Sequence, residues 1–292
     1  MVQTEVNKDV LTLNNGVEIP LIGLGTWRSS PEDMVPVIKT AIENGYRHID
    51  TAKIYGNESA IGKAIEQTGV KREDIFVTTK LWLEDYKRVP QALDESLERL
   101  GLDYVDLYLM HWPVALDLNW KPLTDWTYLD TYKEFQKLVE SKKVRAIGVS
   151  NFTKKQIETL LNHPEVKVKP TVNQIEAHPL LTQPELTDYL KENDIQVQAY
   201  SPLGSLGSPL FGNKDLERIA SKYGVEPAQV LISWAVQRGT IVLPKSVTPS
   251  RIISNIKTFK LDQDDFEELN DFSKKYGVTR TCVSSFFDFD QN

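Results

Sequence analysis

Short apolar and β-branched segments alternate with longer amphipathic segments along nearly the whole chain. In Gln91–Leu100, for example, Ala92, Leu93 and Leu97 recur at helical spacing, whereas charged residues occupy the opposite face. Eight short segments have the composition of strands: Leu21–Gly25, Tyr46–Asp50, Ile75–Lys80, Val105–His111, Val144–Ser150, Thr171–Ile175, Ile195–Tyr200 and Thr240–Leu243. Because strands that alternate with helices form parallel sheets, this pattern predicts an α/β fold, specifically a (β/α)8 TIM barrel.

Glycines and turn residues mark the ends of these elements. Several predicted helices end just before a glycine suited to a left-handed cap, namely Gly45, Gly69, Gly101, Gly224 and Gly239. Near the N-terminus, residues 11–20 place Asn14–Gly16 between two apolar segments, which predicts a β-hairpin. A hairpin is antiparallel and cannot belong to a parallel barrel, so we expect it to cap the barrel bottom.

Two stretches interrupt the even spacing of the elements. Residues 112–128 and 201–213 are rich in Pro, Gly, Trp or Asp, and loops of this length in compact proteins are usually functional or disordered. The C-terminal residues 279–292 carry three phenylalanines, so we expect this tail to pack over the barrel near the substrate. With eight strands and no linker, residues 1–292 are predicted to form one domain.

Composition and charge narrow the class of protein. The 292 residues include 34 Lys and Arg against 41 Asp and Glu, a net charge of -7, which argues against a nucleic-acid partner. The single cysteine, Cys282, can form no intrachain disulfide. We recognise no signal peptide and no stretch of about 18 apolar residues, so we expect a cytoplasmic protein without a membrane partner. The four histidines show no metal-ligand spacing, and we expect no metal.

Acid–base side chains collect at the predicted carboxyl ends of the strands, where TIM barrels place their active sites. The second predicted strand ends at Asp50, with Tyr55 just beyond, the third ends at Lys80 and the fourth at His111. Each residue alone is more typical of capping or salt bridging. Their convergence on one rim favours a catalytic site.

A tyrosine and a lysine at one rim suit proton transfer to an oxygen. A free tyrosine has a pKa near 10, a mismatch of roughly three pH units, or about 4 kcal/mol, with neutral conditions. An ammonium group about 4 Å away, at an effective dielectric of ~20, favours phenolate by a similar amount. Lys80 can supply this charge, with Asp50 holding it in place. A neutral His111 can donate an N–H to a substrate oxygen, so the set suits carbonyl reduction by hydride transfer.

A second cluster follows the eighth predicted strand. Thr248 is a good helix N-cap, Pro249 suits the first helical position, and Lys245 and Arg251 add positive charge. Helix N-termini bind anions, and TIM barrels often keep a phosphate site after strands seven and eight. The alternative is a capped surface helix with solvated cations.

Four segments resemble signature segments of the aldo-keto reductase family, and the resemblance extends over nearly the whole chain. They are Gly45–Glu58, Gly101–Pro113, Gly148–Phe152 and Leu243–Val247. The similarity is greatest to yeast and fungal members that reduce aldehydes and activated ketones, such as α-keto or β-keto esters, and are sometimes described as glycerol dehydrogenases. It implies that Tyr55 is the general acid, that Asp50 and Lys80 tune it, and that His111 positions the carbonyl.

The resemblance also implies NADPH as the cofactor, held across the barrel mouth without a Rossmann domain. Its expected contacts are Gly25, Thr26, Trp27, Asp50, Ser150, Asn151, Gln174, Tyr200, Ser201, Leu203, Ser205, Lys245, Ser246, Val247, Thr248, Arg251 and Asn255. Lys245, Ser246, Thr248 and Arg251 would hold the 2′-phosphate, and Tyr200 would stack on the nicotinamide. The expected substrate contacts are Trp27, Ile54, Trp82, His111 and Trp112. We expect a monomer whose partner is a small carbonyl compound.

Some positions depart from the family pattern, and the roles of others stay open. Ser254 stands where many members place a Glu near adenine, and the loop after Tyr200 is shorter than in mammalian members. Trp120 and Trp126 suit either the substrate wall or ordinary loop packing, and Cys282 is either a redox-sensitive or an inert thiol.

Two other functions stay open at this point. One is a barrel of the same fold that senses nicotinamide and regulates a partner with little turnover. The other is a phosphate-handling isomerase or aldolase, which would act without nicotinamide.

Overall fold

Strands and helices alternate along the chain, as the apolar pattern predicts. Within residues 2–289, which the computed structural model describes, the strands are β1 (Glu5–Val6), β2 (Val10–Thr12), β3 (Glu18–Pro20), β4 (Leu24–Gly25), β5 (His48–Asp50), β6 (Phe76–Leu81), β7 (Val105–Met110), β8 (Val144–Ser150), β9 (Val172–Glu176), β10 (Gln196–Tyr200), β11 (Ile241–Leu243) and β12 (Lys257–Thr258). The α-helices are α1 (Pro31–Glu43), α2 (Glu58–Thr68), α3 (Val89–Leu100), α4 (Tyr128–Phe135), α5 (Lys154–Leu161), α6 (Pro184–Glu192), α7 (Lys214–Tyr223), α8 (Pro227–Gln237), α9 (Pro249–Asn255), α10 (Gln263–Asn270) and α11 (Phe272–Tyr276). Short 3₁₀ segments occur at Lys53–Tyr55, Arg72–Asp74, Leu83–Asp85 and Gln136–Ser141.

Eight of the strands form a parallel barrel. β4 to β11 lie side by side in sequence order, each pairing with the next. The barrel closes between its first and last strands, where Gly23 N–H donates to Val242 O (2.9 Å) and Val242 N–H donates to Leu21 O (2.8 Å). Helices surround the strands. The (β/α)8 TIM-barrel prediction is therefore confirmed.

The predicted strand bounds are right to within a few residues, and the first two are too long. The predicted Leu21–Gly25 is reduced to Leu24–Gly25, because the residues before Leu24 make isolated closing bonds to β11 rather than a continuous ladder. The predicted Tyr46–Asp50 begins only at His48. Tyr46 is instead buried in the helical layer, where its hydroxyl donates to Ile252 O at 3.1 Å.

The N-terminal hairpin closes the bottom of the barrel, as predicted. β2 pairs antiparallel with β3, and Leu13, Ile19 and Leu21 pack against barrel residues such as Leu107 and Val172. These apolar side chains fill the end of the barrel opposite the carboxyl termini of the strands. The polar mouth is therefore the open end.

The helical layer packs its apolar faces on the outside of the barrel. In α3, Ala92, Leu93 and Leu97 are buried, as the helical spacing predicts. All five glycines predicted to follow helices have a positive φ, the conformation expected of a left-handed cap. Among residues 2–289, no helix is long and apolar enough to cross a membrane.

The described part of the C-terminal tail packs over the mouth, as expected. Phe286, Phe287 and Phe289 contact the Trp112 ring, with ring centroids 5.2, 5.6 and 5.8 Å from it. Residues 290–292 lie outside the described residues. The tail therefore contributes aromatic side chains to the rim of the barrel.

Candidate active site

Lys80, on β6, lies at the centre of a polar cluster inside the barrel mouth. Its ammonium group is fully buried and donates to Asp50 Oδ1 (2.6 Å), to Thr51 O (2.8 Å) and to Tyr55 Oη (3.4 Å). Asp50 ends the neighbouring strand β5, and Tyr55 ends the 3₁₀ turn that follows it. Strand pairing thus brings together three side chains that are up to 30 residues apart in sequence.

The second oxygen of the Asp50 carboxylate is held from across the barrel. Gln174 Nε2 on β9 donates to Asp50 Oδ2 (2.8 Å) and to Gln198 Oε1 (2.7 Å). Thr26 Oγ1 donates to the Asp50 carbonyl (2.8 Å). The position of the Lys80 ammonium is therefore fixed by partners from several strands.

The net effect of these surroundings on Tyr55 differs from the sequence prediction. Desolvation, and then the Asp50 carboxylate, raise the pKa of Tyr55 well above its usual value near 10. The Lys80 ammonium lies where we predicted, but it does not lower the pKa of the phenol overall, because burial and Asp50 outweigh it. Burial also lowers the pKa of Lys80, although Asp50 opposes that shift.

His111 follows β7 and faces the same mouth. Its ring centroid is 5.8 Å from that of Tyr55 and 5.0 Å from that of Trp82. Burial, followed by the Lys80 charge, lowers the pKa of His111 well below 6.5, so the imidazole is neutral at pH 7. Its Nδ1 has no hydrogen-bond partner within residues 2–289. The neutral histidine that we predicted is therefore present beside the tyrosine.

Aromatic side chains form a wall beside this polar cluster. Trp82 and Trp112 are almost fully buried, and Phe286 of the tail lies 6.2 Å from Trp82 and 5.2 Å from Trp112, measured between ring centroids. Trp120 joins them, 6.1 Å from Trp82. Trp126 donates through Nε1 to Thr131 Oγ1 of α4 (2.8 Å).

Two further residues that we predicted for the substrate site, Trp27 and Ile54, are exposed in the loops that follow β4 and β5. The Arg28 guanidinium stacks over the Trp27 ring at 4.2 Å. The loops around the mouth therefore contribute apolar surface that water can reach.

Hydroxyl and amide side chains collect at the ends of β8, β9 and β10. Ser150 Oγ donates to Gln174 O (2.8 Å), and Asn151 Nδ2 donates to His111 O (2.9 Å). Tyr200 donates through its hydroxyl to Asn151 Oδ1 (2.7 Å). Asn151 has a φ of +63°, a left-handed conformation that costs energy for a residue other than glycine and is typical of functional sites.

The loop after β10 continues this surface. Ser201 and Ser205 both have a positive φ, and Leu203 is half-buried between them. Ser201 Oγ lies 3.3 Å from Cys282 Sγ, and burial raises the pKa of that thiol above its ordinary value. A thiol with a raised pKa is less often ionised, which favours the inert interpretation of Cys282.

The segment from Lys245 to Arg251 forms the predicted helix start, with one correction. Thr248 occupies the N-cap position, but its side chain caps no amide. Instead, Ser246 Oγ accepts from Thr248 N–H at 3.1 Å. The amides of Ser250 and Arg251 therefore have no hydrogen-bond partner within residues 2–289. Pro249 begins the helix, as predicted.

The charged side chains of this segment are exposed. Neither Lys245 nor Arg251 forms a salt bridge in the described part of the chain. Acidic residues elsewhere in that part pair with many other Lys and Arg side chains. Val247 is also exposed, and Asn255 is buried at the end of the same short helix. As far as residues 2–289 show, the segment therefore combines unbonded amides with two positive charges that form no ion pair.

Several residues at the site were not singled out from the sequence. Thr51 holds Lys80 through its backbone carbonyl, and Gln198 accepts from Gln174. Tyr86, buried in the loop after β6, bonds through its hydroxyl to both the N–H and the carbonyl of Trp112. Alternation along β10 puts Gln198 on the same face as Tyr200, a signal that could have found it. Thr51 acts through its backbone carbonyl, which leaves no sequence signal, and Tyr86 acts through a hydroxyl whose backbone partners no sequence pattern indicates.

Comparison with known proteins places this geometry in a family. The model of the aldo/keto reductase family matches residues 21–274. A glycerol 2-dehydrogenase (NADP(+)) of Saccharomyces cerevisiae is 46% identical over 299 residues, covering 96% of each chain, and an aldehyde reductase of the same yeast is 47% identical, covering 92% of each. The crystal structure of a Bombyx mori aldo-keto reductase in complex with NADP superposes with a TM-score of 0.88 at 36% identity, covering 96% of this chain and 97% of the other. The chain belongs to the aldo/keto reductase family.

Proposed function

We propose that this protein is an NADPH-dependent carbonyl reductase that converts aldehydes and activated ketones to alcohols, with Tyr55 as the general acid. One observation carries the proposal: the buried Lys80 ammonium joins Asp50 to the Tyr55 hydroxyl beside a neutral His111. This arrangement suits a substrate oxygen that gains negative charge as the reaction proceeds.

Tyr55 is suited to donate the proton. Its raised pKa keeps the hydroxyl protonated at neutral pH. An alkoxide formed from a carbonyl is a far stronger base than a phenolate, so proton transfer from Tyr55 to it is favourable. The Lys80 ammonium, 3.4 Å from the phenol oxygen, stabilises the phenolate that remains.

His111 is suited to orient the carbonyl. A neutral imidazole carries one N–H donor, and its T-shaped contacts with Tyr55 and Trp82 fix the plane of the ring. A hydrogen bond from His111 to the carbonyl oxygen would hold that oxygen beside the Tyr55 hydroxyl. Orientation of this kind lowers the entropic part of the barrier.

The residues at the mouth fit a phosphorylated nicotinamide cofactor. Within residues 2–289, Lys245 and Arg251 form no ion pair and lie beside free amides, which suits a phosphate group. No hydrogen bond in the same part of the chain occupies Gln174 Oε1, which suits a carboxamide. Ser150, Asn151 and Tyr200 would hold the nicotinamide end, and Ser201, Leu203 and Ser205 the pyrophosphate. NADPH, when bound, supplies the hydride. The yeast glycerol 2-dehydrogenase (NADP(+)) and the Bombyx mori aldo-keto reductase in complex with NADP support this choice.

The aromatic wall favours carbonyl compounds with an apolar substituent. Trp82, Trp112 and Phe286 line one side of the cluster, and Trp27 and Ile54 lie on the loops beside it. The yeast relative that is an aldehyde reductase supports aldehydes as a substrate class. The single cysteine supports a reducing compartment such as the cytoplasm.

The test is carbonyl-dependent oxidation of NADPH. Purified protein is given NADPH with a panel of aldehydes and α-keto esters, and both the loss of nicotinamide absorbance and the alcohol product are measured. We expect stoichiometric alcohol formation with several members of the panel. Tight NADPH binding without turnover would instead favour the nicotinamide-sensing function, and turnover without nicotinamide an isomerase or aldolase.

A further inference from the structure

A fully buried carboxylate at the barrel mouth has no part in the proton transfer described above. Glu176 is the last residue of β9, two residues after Gln174, and its Cα pairs with that of Tyr200 on β10. The whole residue is inaccessible to water. Burying an ionised carboxylate is costly unless hydrogen bonds replace its hydration, so its partners identify what it does.

Within residues 2–289, three of the four hydrogen bonds to the Glu176 carboxylate come from the C-terminal tail. Oε1 accepts from Thr281 N (2.7 Å), from Thr281 Oγ1 (2.6 Å) and from His178 Nε2 (2.9 Å). Oε2 accepts from Cys282 N (2.9 Å). Two successive backbone amides and a hydroxyl thus converge on one carboxylate. Since the tail supplies most of its partners, Glu176 can be buried at low cost only while the tail is in place.

Thr279 and Arg280, which precede this attachment, contact other groups. Thr279 N–H donates to Leu180 O (2.9 Å), and the Arg280 guanidinium stacks on Phe289 at 3.7 Å. Immediately after Cys282, Val283 is 80% exposed, whereas the Ser284 hydroxyl is buried. The bonds to Glu176, with the contact of Cys282 Sγ to Ser201 Oγ, attach the tail just before its aromatic residues.

Only a few residues separate this attachment from the aromatic wall. Phe286, four positions after Cys282, contacts Trp82, Trp112 and Trp120. The place where the tail leaves the barrel determines which side of the mouth Phe286 can reach. A shift at Thr281 or Cys282 would move Phe286 away from the wall.

We propose that Glu176 is a positioning residue that fixes the C-terminal tail and thereby sets the discrimination between bulky and small carbonyl substrates. It acts through Phe286 and does not touch the reacting atoms. The inference rests on the proposed reductase function, since the discrimination concerns substrates of that site. A bulky aromatic ketone needs Phe286 in place as one side of its pocket, whereas a small dicarbonyl does not.

The chemistry of the attachment requires a carboxylate rather than an amide. Desolvation alone would raise the pKa of Glu176, but the hydrogen bonds from His178, Thr281 and Cys282 outweigh it and lower that pKa. The group is therefore ionised when the tail is bound. In Glu176→Gln one oxygen becomes an NH₂ group, which would face donors of the tail and repel them.

The experiment compares Glu176→Gln with the wild-type enzyme by two readouts. Steady-state kinetics should show KM rising about tenfold for a bulky aryl α-keto ester and less than about twofold for methylglyoxal, with kcat for methylglyoxal and the Kd of NADPH nearly unchanged. Hydrogen exchange should show the amides of Thr281 and Cys282 exchanging about tenfold faster. Loss of fold alone would lower activity on both substrates equally.

Two further variants make the test decisive. Asp265→Asn is the matched control, because Asp265 is also a buried carboxylate, which joins α10 to Lys222 and Tyr223 of α7 and lies outside the mouth. It should change neither the KM ratio nor exchange in the tail. If Glu176→Gln fails to fold, Thr281→Val removes one donor from the tail side, and a smaller shift of the same kind, about threefold, is expected.

Different results would overturn the role of Glu176 and the proposed reductase function. Unchanged exchange at residues 281 and 282, or equal changes in KM for both substrates, would overturn the role of Glu176. A wild-type protein with no turnover on any carbonyl would overturn the reductase proposal. The exchange measurement needs no turnover and would still decide whether Glu176 holds the tail.

Discussion

Lys80 is the residue on which the proposed chemistry depends most. Its ammonium is fully buried and is satisfied by three oxygen atoms, from Asp50, Thr51 and Tyr55. A buried ion pair contributes little net stability, because desolvation offsets the attraction. The pair is better explained by function, since it holds a positive charge beside the one hydroxyl that we propose as the acid.

We propose that Tyr55 and His111 contact the substrate oxygen. Their pKa values shift in opposite directions, which predicts a broad pH optimum for reduction. Tyr55 must stay protonated, and its raised pKa delays loss of that form as pH rises. His111 must stay neutral, and its lowered pKa delays protonation as pH falls. We expect kcat/KM for reduction to be flat from about pH 6 to about pH 9.

Alcohol oxidation should depend on pH differently from reduction. The reverse reaction needs the Tyr55 phenolate, so its rate should rise about tenfold per pH unit over the same interval. Initial rates in both directions, measured in one set of buffers at constant ionic strength, test this. A reduction rate that falls steeply from pH 9 to pH 7 would contradict the assignment of Tyr55 as a protonated acid.

At the scale of single residues, the sequence is informative where a side chain does the chemistry. Asp50, Lys80 and His111 stand at the ends of strands, and a TIM barrel brings those ends together. The sequence could not reveal the Thr51 carbonyl or the bonds from Thr281 to Glu176, because backbone groups are the same at every position. It also misjudged the net pKa shift of Tyr55, which depends on burial.

At the scale of elements, helices α2 and α3 pack closely where Gly62 of α2 lies against the end of α3. A Cβ built on Gly62 of α2 would lie 2.0 Å from the carbonyl oxygen of Leu100, the last residue of α3. This contact is with backbone, which cannot move aside as a flexible side chain can. The glycine therefore sets the spacing of the two helices.

We predict that Gly62→Ala destabilises the protein by about 2 kcal/mol, although alanine favours a helix by about 1 kcal/mol. Denaturant unfolding measures the difference in free energy of unfolding. Ser59→Ala, an exposed substitution in the same helix, is the control and should change stability by less than about 0.5 kcal/mol. A Gly62→Ala protein more stable than the wild type would show that α2 can move away from α3 freely.

The segment from Lys245 to Arg251 predicts which nicotinamide cofactor is preferred. Lys245→Ala and Arg251→Ala should each weaken NADPH binding about tenfold and leave NADH binding within about twofold, because only NADPH carries the 2′-phosphate. Fluorescence titration gives both dissociation constants. Lys39→Ala, which removes an exposed charge from α1, controls for net charge. Equal losses for NADPH and NADH would contradict a phosphate site here.

Element boundaries were predictable where local patterning determines them. β8 runs from Val144 to Ser150, as predicted, because β-branched and small residues fill it. The first strand was overestimated, because the residues before Leu24 close the barrel through single bonds to β11, a feature of the tertiary structure. Thr248 has the right residue type for a cap, but its side chain accepts from no amide of the helix, and its own amide donates to Ser246 Oγ.

For the whole molecule, closure of the barrel bears on its association state. The hydrogen bonds between Leu21, Gly23 and Val242 join the first and last strands, so the eight-stranded sheet has no open edge for a second copy to extend. A net charge of -7 adds mutual repulsion. We predict a monomer of 33.3 kDa in sedimentation velocity. A dimer that persists on dilution would contradict this.

The central claim is that Tyr55 donates the proton during carbonyl reduction, and Tyr55→Phe tests it most directly. Phenylalanine keeps the ring and removes only the hydroxyl that contacts Lys80. We predict that kcat for reduction by NADPH falls about 10²- to 10⁴-fold, while the Kd of NADPH changes less than about twofold. A Tyr55→Phe enzyme that binds NADPH normally and keeps wild-type kcat would contradict the assignment.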